Sequence, residues 1–270
     1  MSVTRLTLRA VPAAPLEAPS VRPDTMAGLA EDEIARLPAW HGREAVRLGD
    51  FFDVRGAGAG EVRVEGDLGR VRRLGEGMTS GLLVVMGAAG MHAGAGMTGG
   101  HLRIEGDAGD WAGAEMRGGV LEILGNAGVE AGGAYAGSSR GVTGGVVLIH
   151  GSAGARVADR LRRGVVAVAG DAGDWAGAHM VAGTLLVCGA LGEGSGVGLK
   201  RGTIVAGGAT TLPATFRYAC RHRPGVLAIL FRSLRARGFP LPARLDEGTF
   251  DRWGGDYADL GRGEVLQWTS

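Results

Sequence analysis

A glycine, a short alternating apolar segment and a second glycine recur eight times along this chain, and that recurrence limits the possible folds more than any other feature. The segments are GEVRVEG (Gly60 to Gly66), GLLVVMG (Gly81 to Gly87), GHLRIEG (Gly100 to Gly106) and GVLEILG (Gly119 to Gly125). They continue as GVVLIHG (Gly145 to Gly151), GVVAVAG (Gly164 to Gly170), GTLLVCG (Gly183 to Gly189) and GTIVA from Gly202. Successive starts lie 21, 19, 19, 26, 19, 19 and 19 residues apart, a regularity that glycine content alone does not produce. Glycine is nevertheless abundant, 52 of 270 residues, which in isolation would suit collagen or a disordered chain. Neither fits: no Gly-X-Y triplet runs through the sequence, only 9 residues are proline, and 45% are apolar. With 5% aromatic residues, the core of the fold must be aliphatic.

Strand residues alternate between two faces. One face of the repeat stacks Val62, Leu83, Leu102, Leu121, Val147, Val166, Leu185 and Ile204. Two residues on, Val64, Val85, Ile104, Ile123, Ile149, Val168, Val187 and Ala206 form a second apolar column. Five units then carry a GxxGxxxG signature, for example Gly106/Gly109/Gly113 and Gly170/Gly173/Gly177. Met78, Met97, Met116, Tyr135, Leu161, Met180 and Leu199 mark a third inward column. A unit of this size cannot bury its inner face alone; stacked units can. The expected fold is all-β: a parallel β-helix solenoid of about eight rungs, right-handed by the crossover rule, with short non-repeat flanks containing helices. At roughly 4.8 Å per rung the rod is about 35–40 Å long.

The expected domain organisation is an N-terminal flank and cap (1–59), the β-helix repeat (60–207) and a C-terminal helix and tail (208–270). In the first flank, Val3–Leu8 alternates like a strand, and Thr25–Leu37 reads as one helix capped by Asp24 or Thr25 and ended by Pro38. In the second, Pro224–Arg237 reads as a helix stopped by Gly238. Open solenoid ends invite end-to-end pairing, so both flanks are expected to cap the rod.

Charge excludes some functions. The chain has 29 basic and 28 acidic residues, a net charge of +1, which offers no general attraction for nucleic acid or an anionic membrane. Cys188 and Cys220 form no CxxC pair. Met1–Ala10 lacks an apolar signal core and the apolar runs are too short to span a bilayer, so the expected location is the cytoplasm.

Catalytic motifs are correspondingly scarce. The GxGxxG match at Gly94–Gly99 lies inside the repeat and precedes no helical pattern. No P-loop, GxSxG or HExxH occurs, and His41, His92, His101, His150, His179 and His222 occupy scattered offsets. Asp107, Asp110, Asp171 and Asp174 recur in GDAGDWAG turns; carboxylates on stacked rungs could serve polysaccharide cleavage, but a turn role, bonding their own backbone, fits better. No catalytic or metal-ligating residue is therefore assigned.

Outward positions carry more information. Early strands present Glu61, Arg63, Glu65, Arg103 and Glu105, whereas later ones present Val146, Leu148, Val165, Ala167, Leu186 and Cys188. A strand apolar on both faces must be covered on both, here by the C-terminal helix or by another subunit. Leu148 and Leu186 are expected to form a subunit-docking face, and Trp111 and Trp175, at one outward offset, to anchor an interface. Arg140, Arg156, Arg160, Arg162 and Arg163 crowd the middle rungs.

The GxxGxxxG repeat resembles the C-terminal domain of the glutamate synthase large subunit. The flanks narrow the resemblance: LPAWHGREAVRLGDFFDVRG (Leu37 to Gly56) and RWGGDYADLGRGEVL (Arg252 to Leu266) are similar to the C subunit of formylmethanofuran dehydrogenase, whose bacterial relative belongs to the formyltransferase/hydrolase complex. The resemblance implies one-carbon metabolism: formyl exchange between methanofuran-type and tetrahydromethanopterin-type carriers, serving formaldehyde oxidation to formate. It also implies that chemistry, metal ions and the methanofuran-type carrier reside on partners, namely an amidohydrolase-like hydrolase subunit, a chain like the B subunit and a formyltransferase. This chain would then be a non-catalytic scaffold binding no cofactor alone, with Arg156, Arg160 and Arg163 helping to hold the carrier's anionic, polyglutamate-like tail. No ferredoxin-like cysteine extension follows the repeat. The alternatives are a stand-alone glutamate-synthase-type module, or a β-helix enzyme acting on carbohydrate or acyl groups.

Overall fold

A computed structural model describes residues 3–269 of the chain. The N-terminal segment contains β1 (Thr4–Leu8), β2 (Leu16–Glu17), α1 (Pro23–Met26), α2 (Glu31–Ala35), β3 (Pro38–His41), β4 (Glu44–Arg47), α3 (Leu48–Phe51) and β5 (Phe52–Arg55). The repeat contributes β6 (Glu61–Glu65), β7 (Val71–Arg72), β8 (Leu82–Met86), β9 (Thr98–Ile104), β10 (Gly118–Ile123), β11 (Val146–Ile149), β12 (Val165–Val168), β13 (Thr184–Val187) and β14 (Thr203–Ala206). The C-terminal segment adds β15 (Arg217–His222), α4 (Gly225–Arg235), α5 (Arg244–Glu247), β16 (Thr249–Gly255) and β17 (Gly263–Thr269).

The chain is mostly strand, organised around one large, largely parallel sheet. Among the described residues that sheet has 13 strands, ordered β15-β16-β17-β14-β13-β12-β11-β10-β9-β8-β6-β1-β5. Repeat strands pair in parallel and in register: Val62 opposite Leu83, Leu83 opposite Leu102, and so on to Leu185 opposite Ile204. All 16 residues of the two strand columns are fully buried, and removal from water of each of the 15 Val, Leu and Ile side chains among them contributes about 1.5–3 kcal/mol before conformational entropy is counted. A second ladder runs on the far side of each unit, through parallel bridges linking Ala89, Ala108, Ala127, Ala153, Ala172 and Leu191.

Two details of the ladders differ from the sequence reading. The third inward column holds Val142 rather than Tyr135: Thr143 N donates to Met116 O and Arg162 N to Val142 O, the same step that neighbouring rungs make. Val142 is fully buried and Tyr135 half-buried, because residues 134–140 form an insertion outside the coil that accounts for the 26-residue interval. Likewise, the recurring aspartates bond the next rung rather than their own turn. Asp107 Oδ1 accepts from Asn126 N (2.6 Å), Asp110 Oδ1 from Val129 N (2.8 Å), Asp171 Oδ1 from Ala190 N (2.7 Å) and Asp174 Oδ1 from Glu193 N (2.9 Å). Asn126 and Ser152 continue the ladder by accepting from Ser152 N and Asp171 N. Glycine makes room for it: a Cβ at Gly189 would collide with Asp171 Oδ1.

Both flanks continue the sheet at its two ends. β1 lies parallel to β6 with Leu6 opposite Val64, and β17 lies parallel to β14 with Val265 opposite Ile204. Antiparallel β5 follows at one end and β16 then β15 at the other. The single helix expected over Thr25–Leu37 is instead two short ones, because Gly28 takes a left-handed φ of +77° and donates to Gly58 O. The C-terminal helix forms as α4, with Pro224 as N-cap and Gly238 at φ +77° beyond its end.

That helix decides how the outer face is covered. Leu148 and Leu186 are 1% and 0% exposed, in an apolar cluster with Leu227, Phe231 and Leu234 of α4 and with Leu245, Phe250 and Leu266. They are therefore not a docking face: the chain's own C-terminal segment covers them, since α4 buries one stripe of leucine and phenylalanine against β11–β14. The same burial pushes the Cys188 thiol up to about 12, against a lowering by Arg244.

Candidate functional site

Each repeat unit turns through alternate residues in the left-handed region, and this geometry presents the candidate site. The middle member is glycine in most rungs, as at Gly94, Gly113, Gly132 and Gly177. Two residues earlier stand Arg73, His92, Trp111, Glu130, Arg156 and Trp175, with φ between 57° and 64°. Two residues later, Glu115, Arg160 and His179 have φ of 54–56°. Each non-glycine residue held this way costs on the order of 1 kcal/mol, so a column of them points to a role beyond folding.

The first column is a continuous side-chain ladder. The His92 and Trp111 rings stack at 5.3 Å and 12°. Trp111 Nε1 donates to Glu130 Oε2 (2.5 Å), and Arg156 Nε lies 2.8 Å from Glu130 Oε1 as an ion pair. Arg156 and Arg160 both meet Asp159 Oδ2, at 3.2 and 3.3 Å, while His179 Nδ1 lies 3.1 Å from Asp159 Oδ1. Asp159 is buried, so these three side chains supply the charge and polar partners that a buried carboxylate needs. Tyr135, from the insertion, closes the other end with its hydroxyl 2.9 Å from His92 Nδ1. Burial pushes the Tyr135 hydroxyl up to about 12, and burial with Arg73 and Arg72 nearby pulls His92 down, so both are neutral near pH 7.

Beside this ladder the insertion forms one wall of a cleft of about 710 Å3 lined by Glu115, Arg117, Ser138, Arg140, Gly141, Thr143, Arg162 and Arg163. The four arginines are exposed, and none has an ion-pair partner among the described residues. Glu115, the single carboxylate in the lining, accepts from Tyr135 N at 3.3 Å. The cleft is thus an unneutralised cationic surface suited to carboxylate or phosphate groups.

Of the arginines Arg156, Arg160 and Arg163 singled out in the sequence, only Arg163 lines this cleft; Arg156 and Arg160 are held by Glu130 and Asp159. Trp111 is half-buried in the ladder, whereas Trp175, at its far end, remains 44% exposed. Sequence reasoning misses Arg117 and Glu115 as site residues, and reaches Arg140 and Arg162 only as members of a basic run. The signal is present: once Val142 rather than Tyr135 is aligned with the methionine column, Arg117, Thr143 and Arg162 share one repeat position, and the seven extra residues stand out as a wall. Among the described residues, no group of three or more His, Cys, Asp or Glu side chains is arranged to hold a metal ion.

The fold and this edge can be set against known proteins. A chain of the formyltransferase/hydrolase complex FhcABCD from Methylorubrum extorquens, solved in complex with methylofuran, superposes with a TM-score of 0.92 at 36% identity, covering 98% of this chain and 100% of that one. The chain belongs to the family of formylmethanofuran dehydrogenase C subunits. Curated members match over a shorter stretch. The C subunit of the tungsten-containing formylmethanofuran dehydrogenase 2 of Methanothermobacter wolfeii is 40% identical over 99 residues, 35% of this chain and 37% of that protein. The C subunit of the molybdenum-containing formylmethanofuran dehydrogenase 1 of Methanosarcina barkeri is 41% identical over 82 residues, 28% of this chain and 27% of that protein. The matched stretch thus spans about a third or less of these two relatives. No protein-family model matches the chain.

Proposed function

We propose that this chain is the structural subunit of a formyltransferase/hydrolase complex acting on a methanofuran-type carrier, within tetrahydromethanopterin-linked oxidation of formaldehyde to formate. The observation that carries this reading is the full-length likeness to a chain of such a complex. In it, residues 60–207 form a right-handed β-helix, with 1–59 and 208–270 as its end pieces. The in-register ladders and the fully buried aliphatic columns support that architecture. The rod is non-catalytic and cytoplasmic, and positions partners: an amidohydrolase-like hydrolase subunit that carries the metal ions, a chain like the B subunit and a formyltransferase. A scaffold held by backbone ladders loses little conformational freedom when partners bind.

In this reading the cleft, where Arg163 joins Arg117, Arg140 and Arg162, takes the anionic tail expected at Arg156, Arg160 and Arg163, and the ion pairs of Arg156 and Arg160 with Asp159 support a role for these two in fixing the adjoining ladder. Trp111 and Trp175 are the interface anchors of this reading, and the exposure of Trp175 supports direct contact with a partner.

The test is co-expression with the partner subunits, isolation of the assembly and assay of formyl hydrolysis with and without this chain. A stable complex whose activity depends on the chain is expected. Full activity of the partners without it, or turnover by this chain alone, overturns the proposal. Changing Arg117, Arg140, Arg162 and Arg163 to Gln should raise the carrier's KM at least tenfold; an unchanged KM removes the cleft from the reading.

A further inference from the structure

The C-terminal end of the sheet carries a feature that the scaffold reading leaves unused. β15 is the outermost strand of the 13-stranded order and pairs, antiparallel, with β16 alone. All six of its residues, Arg217 to His222, are exposed, so neither face is covered by the chain. An open edge of this kind offers a row of unpaired backbone donors and acceptors to another strand.

Charge narrows what the strand could be. Residues 194–245 carry nine basic side chains (Lys200, Arg201, Arg217, Arg221, Arg223, Arg232, Arg235, Arg237 and Arg244) and no Asp or Glu, in a chain whose net charge is only +1. Lys200 is paired with Asp259, Arg221 with Asp251 and Arg235 with Asp246, whereas Arg217 and Arg223 meet no side-chain carboxylate among the described residues. A second copy of β15 is a poor occupant. In antiparallel self-pairing about its centre, Arg217 would face His222 or Arg221, and like charges directly opposite destabilise a pair. The arginines that prevent self-association therefore favour a strand of opposite sign. Tyr218, 54% exposed and edge-on to Trp253 at 5.6 Å, offers an aromatic surface for an apolar side chain between the acidic ones.

We propose that β15 is a docking edge that takes up an extended, acidic segment of a partner protein through strand addition. This rests on the reading that the chain works within a complex, and extends it by assigning the edge and the chemistry of the segment. Cys220, exposed at the middle of the strand, supplies a native probe.

The experiment compares the isolated full chain with the assembled complex. Maleimide labelling of Cys220 should slow at least tenfold on assembly, and hydrogen exchange of 217–222 should slow at alternate amides, as a new backbone ladder requires. Arg217→Glu with Arg223→Glu should weaken assembly at least tenfold, while Arg217→Lys with Arg223→Lys should assemble normally. Assembly with Cys220 and these amides as reactive as in the free chain overturns this proposal alone. Failure to assemble with the partner subunits at all overturns the scaffold reading and this one together.

Discussion

Leu185 and Leu186 are adjacent on β13 and both fully buried, yet they belong to different cores: Leu185 to the inner columns, Leu186 to the cluster under α4. Truncation of either leucine to alanine should cost about 2–5 kcal/mol, the usual range when a buried leucine leaves a partly collapsed cavity. The location of the loss should differ. Leu185→Ala weakens contacts that every neighbouring rung shares, so the whole rod loses stability, a large part of the ~5–15 kcal/mol typical of a domain. Leu186→Ala loosens only the seat of Leu227, Phe231 and Leu234, so the C-terminal cover should open locally while the rod persists. Hydrogen exchange resolved by segment is the assay. A loss of about 2 kcal/mol accelerates opening-limited exchange about thirtyfold. Leu186→Ala should show that acceleration in 225–235 with little change in β8–β10, whereas Leu185→Ala should accelerate both. Leu186→Asp, with a carboxylate beneath α4, should detach the cover outright. Equal, global acceleration in both alanine variants would refute the two-core description.

Gly189→Ala should lower stability by about 1–3 kcal/mol, because the new Cβ overlaps Asp171 Oδ1 and breaks its bond to Ala190 N; a denaturant titration checks it. Deletion of residues 134–140 restores the 19-residue step and should leave the melting temperature within a few degrees, since loop length changes closure entropy only slowly. The same deletion should abolish binding of an oligoglutamate probe to the cleft, read by titration calorimetry. His150 is pulled below its ordinary value, first by burial and then by Arg103, against Glu122, so the unfolded chain binds its proton more readily. Its contribution is therefore intact above about pH 6.5 and lost as the pH falls through the lower folded value; melts across pH 5–8 should show this slope, and His150→Gln should reduce it. Trp175→Gly removes a left-handed tryptophan and should leave the isolated chain unchanged or about 1 kcal/mol more stable by thermal melt, while weakening assembly measured by pull-down.

The large parallel sheet is legible in the sequence because one signal, the period, is repeated eight times, and each repeat constrains the others. Val62, Leu102, Val166 and Ile204 can be assigned inward without coordinates, as their alternation leaves no other consistent register. Departures come where the period is interrupted or where a residue's partner lies a full coil away. Tyr135 aligns with the methionines because counting forward from the preceding glycines reaches it before Val142; only the backbone ladder shows that the coil resumes after Arg140. Asp171 reads as a turn residue because the distance from its carboxylate to Ala190 N is set by rung stacking, which local spacing does not encode. Leu148 and Leu186 visibly need cover, but amphipathicity alone does not say whether α4 or another chain provides it.

The candidate site is harder to read for a related reason. In this fold the core fixes the strand columns and leaves the left-handed turn positions free, because side chains there leave the shaft and touch solvent or one another. Glycine would be the least strained choice at all of them. Instead, Arg73, His92, Trp111, Glu130, Arg156 and Trp175 occupy one such column, of which His92, Trp111, Glu130 and Arg156 stack or bond in sequence, and the seven-residue insertion sits against it. Strain, buried charge at Asp159 and the cationic cleft thus coincide on a single edge of an otherwise repetitive structure. A repeat needs none of these to stack. Their convergence on this edge, rather than on the apolar strand face that the chain covers for itself, is what the proposed role of the cleft rests on.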